Sequence, residues 1–229
     1  NMPEKTYNGF SVLKNYGEDL TAKTYVTDPS IARDEELKKL MMVLLTPEKS
    51  GLLVGKAGVG KTSIVEGLSF RILHNLVPVA LQGYRVIKIN SSSLLGKISF
   101  NGREEMIITL LVEELKNVSK TILFIDEVHT LIGSNAGSSM DLANILKPAI
   151  DRGAIKLIGA TTLDEYKKTI EKDRAFDRRF QKVEIFEPDF NKTLDILIGL
   201  KDLYCSYHNV KIEDNLLKEI IKLTNKYIK

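Results

Sequence analysis

Hydrophobic and polar positions follow two alternating rhythms along the 229 residues. Five short runs rich in β-branched and apolar residues, at 51–55, 85–90, 121–126, 155–161 and 182–186, predict strands. Between them, Ile64, Leu68 and Ile72 recur at four-residue spacing, and Ile107, Leu110, Leu111 and Leu115 repeat the helical period. Leu52-Leu53-Val54 and Ile122-Leu123-Phe124-Ile125 are apolar without alternation, as expected of parallel strands covered on both faces. The pattern therefore predicts an α/β fold with a central, mostly parallel, five-stranded sheet flanked by helices. After Phe186 the strand runs stop, and Glu187-Pro188 leads into two helical stretches near 191–207 and 213–228. In the second, Lys218, Lys222, Lys226 and Lys229 lie opposite Leu216, Leu217, Ile220 and Ile221, which reads as a solvated face over an apolar one.

Composition narrows the chemistry. The 43% hydrophobic content and 15 glycines are those of an ordinary globular chain. One cysteine, Cys205, excludes an internal disulfide framework, and His74, His129 and His208 are too scattered to suggest a metal cluster. The net charge of +3 lacks the concentrated positive field of a nucleic-acid binder. The longest apolar run, Leu40 to Leu45, is far too short for a membrane span. Asn1 ahead of Met2 reads as a cloning remnant, so a leader upstream is left open.

The strongest motif is Gly55-Lys56-Ala57-Gly58-Val59-Gly60-Lys61-Thr62, a complete G-x-x-x-x-G-K-T between a predicted strand and an amphipathic helix. Its glycines let backbone N–H groups of 57–63, Ser63 included, point at phosphates, and the helix N-terminus adds positive dipole. Lys61 brings a point charge to the β- and γ-phosphates, and Thr62 is placed to ligate Mg²⁺. Guanine readers carry Asn-Lys-x-Asp; Asn191-Lys192-Thr193-Leu194-Asp195 puts the acid one position late, which favours ATP and its product ADP.

In the run 121–127, four apolar residues lead to Asp126 and Glu127 at a strand end, the edge where open α/β sheets bind ligands. Asp126 would hold the metal through its waters, and Glu127 would orient and deprotonate the attacking water. Thr161 and Thr162 end another strand; one hydroxyl can face the water or γ-phosphate while the other caps the next helix.

Together these residues resemble the first nucleotide-binding module of the Clp-type AAA+ unfoldases, the group of ClpA, ClpB and ClpC. Seven ordered segments carry the resemblance: 19–21, 28–36, 58–72, 122–133, 140–150, 157–166 and 177–188. It implies a P-loop NTPase fold with Lys61 and Thr62 as Walker A residues, Asp126 and Glu127 as the Walker B pair, and Thr162 as the sensor. It further implies that Arg178 and Arg179 are arginine fingers reaching a neighbouring subunit's site, and hence a homo-oligomeric ring, usually a hexamer. Ile31 and Ala32 match the adenine-cupping segment, with Ile196 closing the other side. The implied organisation is an N-terminal linker and adenine-contacting segment at 1–33, a large nucleotide-binding domain at 34–188, and a partial helical lid at 189–229.

Residues 96–102 lie where this family has its pore loop, with Phe100 at the position of the aromatic that grips substrate polypeptide. The family reads Lys-Tyr-Arg-Gly where this chain has Ser99-Phe100-Asn101-Gly102. Ala57 replaces the usual proline of the P-loop, and Ala32 the usual glycine before Arg33. The expected function is an ATP-hydrolysing motor that threads unfolded or aggregated proteins, with a protease partner or co-chaperone possible. The alternative is a nucleotide-gated assembly module with slow hydrolysis, suggested by the altered pore loop. The implied compartment is the cytosol or an organelle of bacterial origin.

Overall fold

The computed structural model describes residues 9–132, 142–153, 155–187, 189–208 and 212–227. Its helices are α1 (Val12–Tyr16), α2 (Asp34–Leu45), α3 (Lys61–Leu73), α4 (Ser91–Leu94), α5 (Ile107–Leu115), α6 (Leu142–Asp151), α7 (Leu163–Glu165), α8 (Arg174–Asp177), α9 (Phe190–His208) and α10 (Asp214–Tyr227). Its strands are β1 (Gly17–Asp19), β2 (Ser50–Gly55), β3 (Arg85–Asn90), β4 (Lys97–Phe100), β5 (Arg103–Met106), β6 (Thr121–Asp126), β7 (Ile155–Thr161) and β8 (Phe180–Ile185).

All five expected strands form one sheet, in the order β1-β3-β6-β7-β2-β8. β3, β6, β7, β2 and β8 run parallel, whereas β1 pairs antiparallel with β3 at Gly17↔Ile89 and Asp19↔Ile87. The five-stranded expectation is therefore corrected to six, and part of the segment expected to be a linker supplies the sixth. Gly17-Glu18-Asp19 carries no apolar alternation because it adds to the edge through its backbone alone.

The pleat sends alternate residues to two cores. On one face Leu52, Val54, Leu123, Ile125 and Leu157 pack with α1, α5 and α6; on the other Leu53, Ile122, Phe124, Ile158 and Ala160 pack with α2 and α3. This double burial is why the strands read as unbroken apolar runs. In α3, Ile64, Leu68 and Ile72 are buried, as their spacing predicts, and so are Ile107, Leu110, Leu111 and Leu115 in α5. α9 and α10 pack on each other after the sheet. Of the apolar set expected on α10, Ile221 is buried but Leu216 and Ile220 are exposed.

A second, two-stranded sheet was not expected. β4 and β5 form a hairpin with Phe100 opposite Arg103, turning through Asn101 (φ 49°) and Gly102 (φ 75°). Two successive positive φ angles on Asn-Gly are the type I′ preference for two-residue hairpins, a signal present in the sequence.

Candidate active site

The sheet order puts β7 between β6 and β2, so three strand ends converge on one edge. β2 runs into the P-loop, β6 ends on Asp126, and β7 ends on Thr161, which is paired in register with Val54. They enclose a cavity of about 410 Å³ lined by Ala57, Gly58, Gly60, Lys61, Thr62, Ser63, Asp126, Glu127, His129, Thr161 and Thr162. Most of the phosphate and hydrolytic residues named from sequence are thus brought together.

Each is placed by a local cause. Gly58 (φ 76°) and Gly60 (φ 106°) adopt conformations that side chains disfavour, and this lets the loop wrap into α3. The Lys61 ammonium donates to the carbonyls of Gly55 (2.7 Å) and Lys56 (2.9 Å). Burial pushes its pKa below the ordinary lysine value, and the Asp126 carboxylate opposes that shift. Glu127 occupies the left-handed region (φ 51°, ψ 42°), held there as its carbonyl accepts from Thr130 N (3.0 Å) and Oγ1 (2.9 Å). Its N–H donates to Asp126 Oδ1 at 2.9 Å. Thr162 caps α7, its hydroxyl oxygen accepting from Glu165 N at 3.2 Å. Accepting there leaves its O–H proton able to donate elsewhere, so cap and sensor roles are compatible.

Val59 does not line the cavity. Its carbonyl instead accepts from Arg33 Nη2 (2.9 Å), while Arg33 Nη1 donates to Phe186 O (2.7 Å). Arg33, 6% exposed, thus ties the P-loop to the exit of β8, a contact that sequence reasoning missed. Ile31 and Ala32 lie outside the cavity lining as well. Ile31 abuts α9 so closely that a Cβ on Gly199 would come within 3.1 Å of Ile31 Cδ1. The segment expected to cup adenine therefore touches the helix expected to close over it, through Gly199; the side chain of Ile196 lies outside the described residues, as does that of Phe100.

Arg178 and Arg179 sit elsewhere. With Ser50 and Phe180, the first residues of β2 and β8, they line a separate cavity of about 380 Å³ at the opposite edge of the sheet. Six residues of β2 separate the edges, roughly 17 Å at strand rise. Contacts that hold this segment include Lys49 Nζ to Arg178 O (2.8 Å), Ser50 N to Arg179 O (2.9 Å), and Tyr166 OH to Asp177 Oδ1 (2.6 Å).

The donor set fits a nucleoside triphosphate with a hard cation. Open space above Gly58 leaves its backbone accessible, Lys61 offers positive charge, and a hydroxyl and a carboxylate, Thr62 and Asp126, offer oxygen ligands. A mostly parallel sheet with a P-loop at the end of β2 and an acidic pair at the end of β6, the next strand but one, defines a P-loop nucleoside triphosphatase.

Comparison with known proteins narrows that class. Residues 51–187 match the family "ATPase family associated with various cellular activities (AAA)", and 189–229 match an AAA lid domain. The chain is 46% identical over 220 residues to chaperone protein ClpB of Wolinella succinogenes, covering 94% of this chain and 26% of that protein. It is 42% identical over 225 residues to the ATP-dependent Clp protease ATP-binding subunit ClpC of Staphylococcus saprophyticus, covering 96% and 27%. Among solved structures, a closed state of Hsp104 with ATPγS and FITC-casein superposes with a TM-score of 0.78 at 38% identity, covering 95% of this chain and 38% of that one. The chain belongs to the AAA ATPase family, and within it is similar to the Clp-type chaperones. It spans about a quarter of the length of the curated relatives it matches.

Proposed function

We propose that this chain is the ATP-hydrolysing module of a ring-forming Clp-type chaperone that threads unfolded or aggregated proteins through a central pore. The observation that carries the reading is the convergence of Lys61, Thr62, Asp126, Glu127 and Thr162 on one cavity. Lys61 and the P-loop amides bind and orient the phosphates, and Ile31 with α9 flanks the adenine. Thr62 and, through waters, Asp126 would hold Mg²⁺, which when bound would neutralise charge on the β- and γ-phosphates. Glu127 orients a water in line with the γ-phosphorus and accepts its proton, while the Thr162 O–H donates to the same water or to a phosphate oxygen. Arg178 and Arg179 serve the site of an adjoining copy, because their own site lies at the other sheet edge.

Glu127→Gln in the full-length protein should retain ATP binding while turnover falls on the order of 100-fold or more, given the usual worth of a general base. Turnover that survives unchanged would remove Glu127 from the chemistry. The Asn-Gly hairpin in place of the usual pore-loop sequence favours a second reading, a nucleotide-gated assembly module that hydrolyses slowly and leaves the threading to another part of the protein. Phe100→Ala separates the two: loss of protein unfolding at unchanged nucleotide affinity supports a gripping hairpin, and unaltered unfolding supports the second reading.

A further inference from the structure

Motif reading assigns no role to His129, although it lines the nucleotide cavity between Glu127 and the end of β7. Its Nδ1 lies 2.9 Å from the Oγ1 of Thr161, which is itself buried. The neighbouring residue makes a parallel contact. Val128 is fully buried against Gly159, so closely that a Cβ at 159 would come within 2.9 Å of Val128 Cγ1. Gly159 and Thr161 are two apart on β7 and share one face of that strand. The turn that follows Asp126 is therefore laid on the end of β7 by two successive contacts, one of packing and one hydrogen bond. Glu127, exposed and left-handed, has, among the described residues, its backbone ties to Asp126 and Thr130 besides these. A non-glycine residue holds such a conformation when its surroundings over-determine it.

We propose that His129 is a positioning residue for hydrolysis: through Nδ1 it locks onto Thr161 and thereby fixes the turn that aims the Glu127 carboxylate. The Thr161 hydroxyl is committed to this contact, which leaves Thr162 to face the reacting groups. The inference rests on Glu127 acting as the water-activating base.

Amide isosteres test it. Asparagine places its amide near the Nδ1 position of a histidine and glutamine near the Nε2 position. In the full-length protein, His129→Asn should keep turnover within about 3-fold of wild type, while His129→Gln and Thr161→Val should lower kcat on the order of 10- to 100-fold, the usual consequence of misplacing a reacting group by about an ångström. Nucleotide Kd should stay within about 2-fold in all three, since the phosphate cradle is untouched. The double variant His129→Gln/Thr161→Val should be no worse than either single, because both remove one interaction. Rescue by Gln rather than Asn, or additive losses, would overturn the proposal in favour of direct contact through Nε2. A readout free of turnover comes from imidazole ¹⁵N spectra of this chain without nucleotide. The His129 Nδ1 resonance should move on Thr161→Val and stay in place on Thr161→Ser; a resonance indifferent to both overturns the proposal even if a variant folds poorly. If Glu127→Gln itself leaves turnover intact, the hydrolytic reading fails; if Glu127→Gln is inactive but the His129 variants are not, only this inference fails.

Discussion

Ala32 shows how much one residue's backbone can carry. It sits at φ 62°, in the left-handed region, where the Clp-type pattern has glycine. An alanine there bears a steric cost of about 1–2 kcal/mol that glycine avoids. Arg33, next in the chain, donates to Val59 O and Phe186 O and holds the strained residue in place. Ala32→Gly should therefore stabilise the fold, by less than the full strain because glycine also frees the unfolded chain. A net gain of about 0.5–1 kcal/mol corresponds to a rise of roughly 1–4 °C in Tm for a chain of this size. Thermal unfolding of the two proteins side by side is the check, and an unchanged or lowered Tm would show that Ala32 carries no strain. The Walker residues were legible at this scale because their chemistry depends on residue type at fixed spacing. Arg33 and His129 were not, since each acts through partners 153 and 32 residues away, and local pattern carries no trace of such pairs.

Among elements, the strands buried on both faces declared themselves, whereas β1 did not, and the β4–β5 hairpin was signalled by Asn101-Gly102 alone. β1 is short, polar and attached at the sheet edge by backbone hydrogen bonds, so period and composition say nothing of it. What holds that corner is Glu114 on α5, a carboxylate only 2% exposed. It accepts from Ser11 Oγ (2.5 Å), Val12 N (2.6 Å) and Leu13 N (3.3 Å), satisfying the otherwise orphan amides at the start of α1, which leads into β1. A buried carboxylate with three donors is stabilising only while all three are kept. Glu114→Gln keeps the shape but turns an amide NH₂ toward donors, and should cost about 1–3 kcal/mol in chemical denaturation. Hydrogen exchange at Val12 and Leu13 should quicken more than at the amides of β6. Uniform loss of protection across the sheet would instead mean that the α1–β1 strap unfolds only with the whole domain.

For the molecule as a whole, the decisive fact is that one chain carries a complete cradle at one edge of its sheet and two arginines at the other. Roughly 17 Å of β2 lies between them, farther than an arginine side chain reaches, so Arg178 and Arg179 cannot serve their own site without refolding β8. The segment is also well anchored, by Lys49, Ser50 and Tyr166, the last with its phenol raised in pKa by burial and by its hydrogen bond to Asp177. Two arginines at the edge remote from their own cradle suit a head-to-tail ring, in which the edge of one copy would close the cradle of the next. Complementation between two inactive variants tests this. Full-length Glu127→Gln and an Arg178→Ala/Arg179→Ala double variant should each hydrolyse poorly when assembled alone. Mixed in equal amounts, a subunit with intact Glu127 will meet a neighbour with intact arginines at roughly a quarter of the interfaces of a closed ring. Turnover should then rise well above the sum of the two preparations. If mixing restores nothing although mixed rings form, the arginines do not act across the interface. In that outcome the pair would be read as structural, a basic rim at the start of β8, and the route from nucleotide to neighbouring subunit would have to run through α9 and its contact with Ile31.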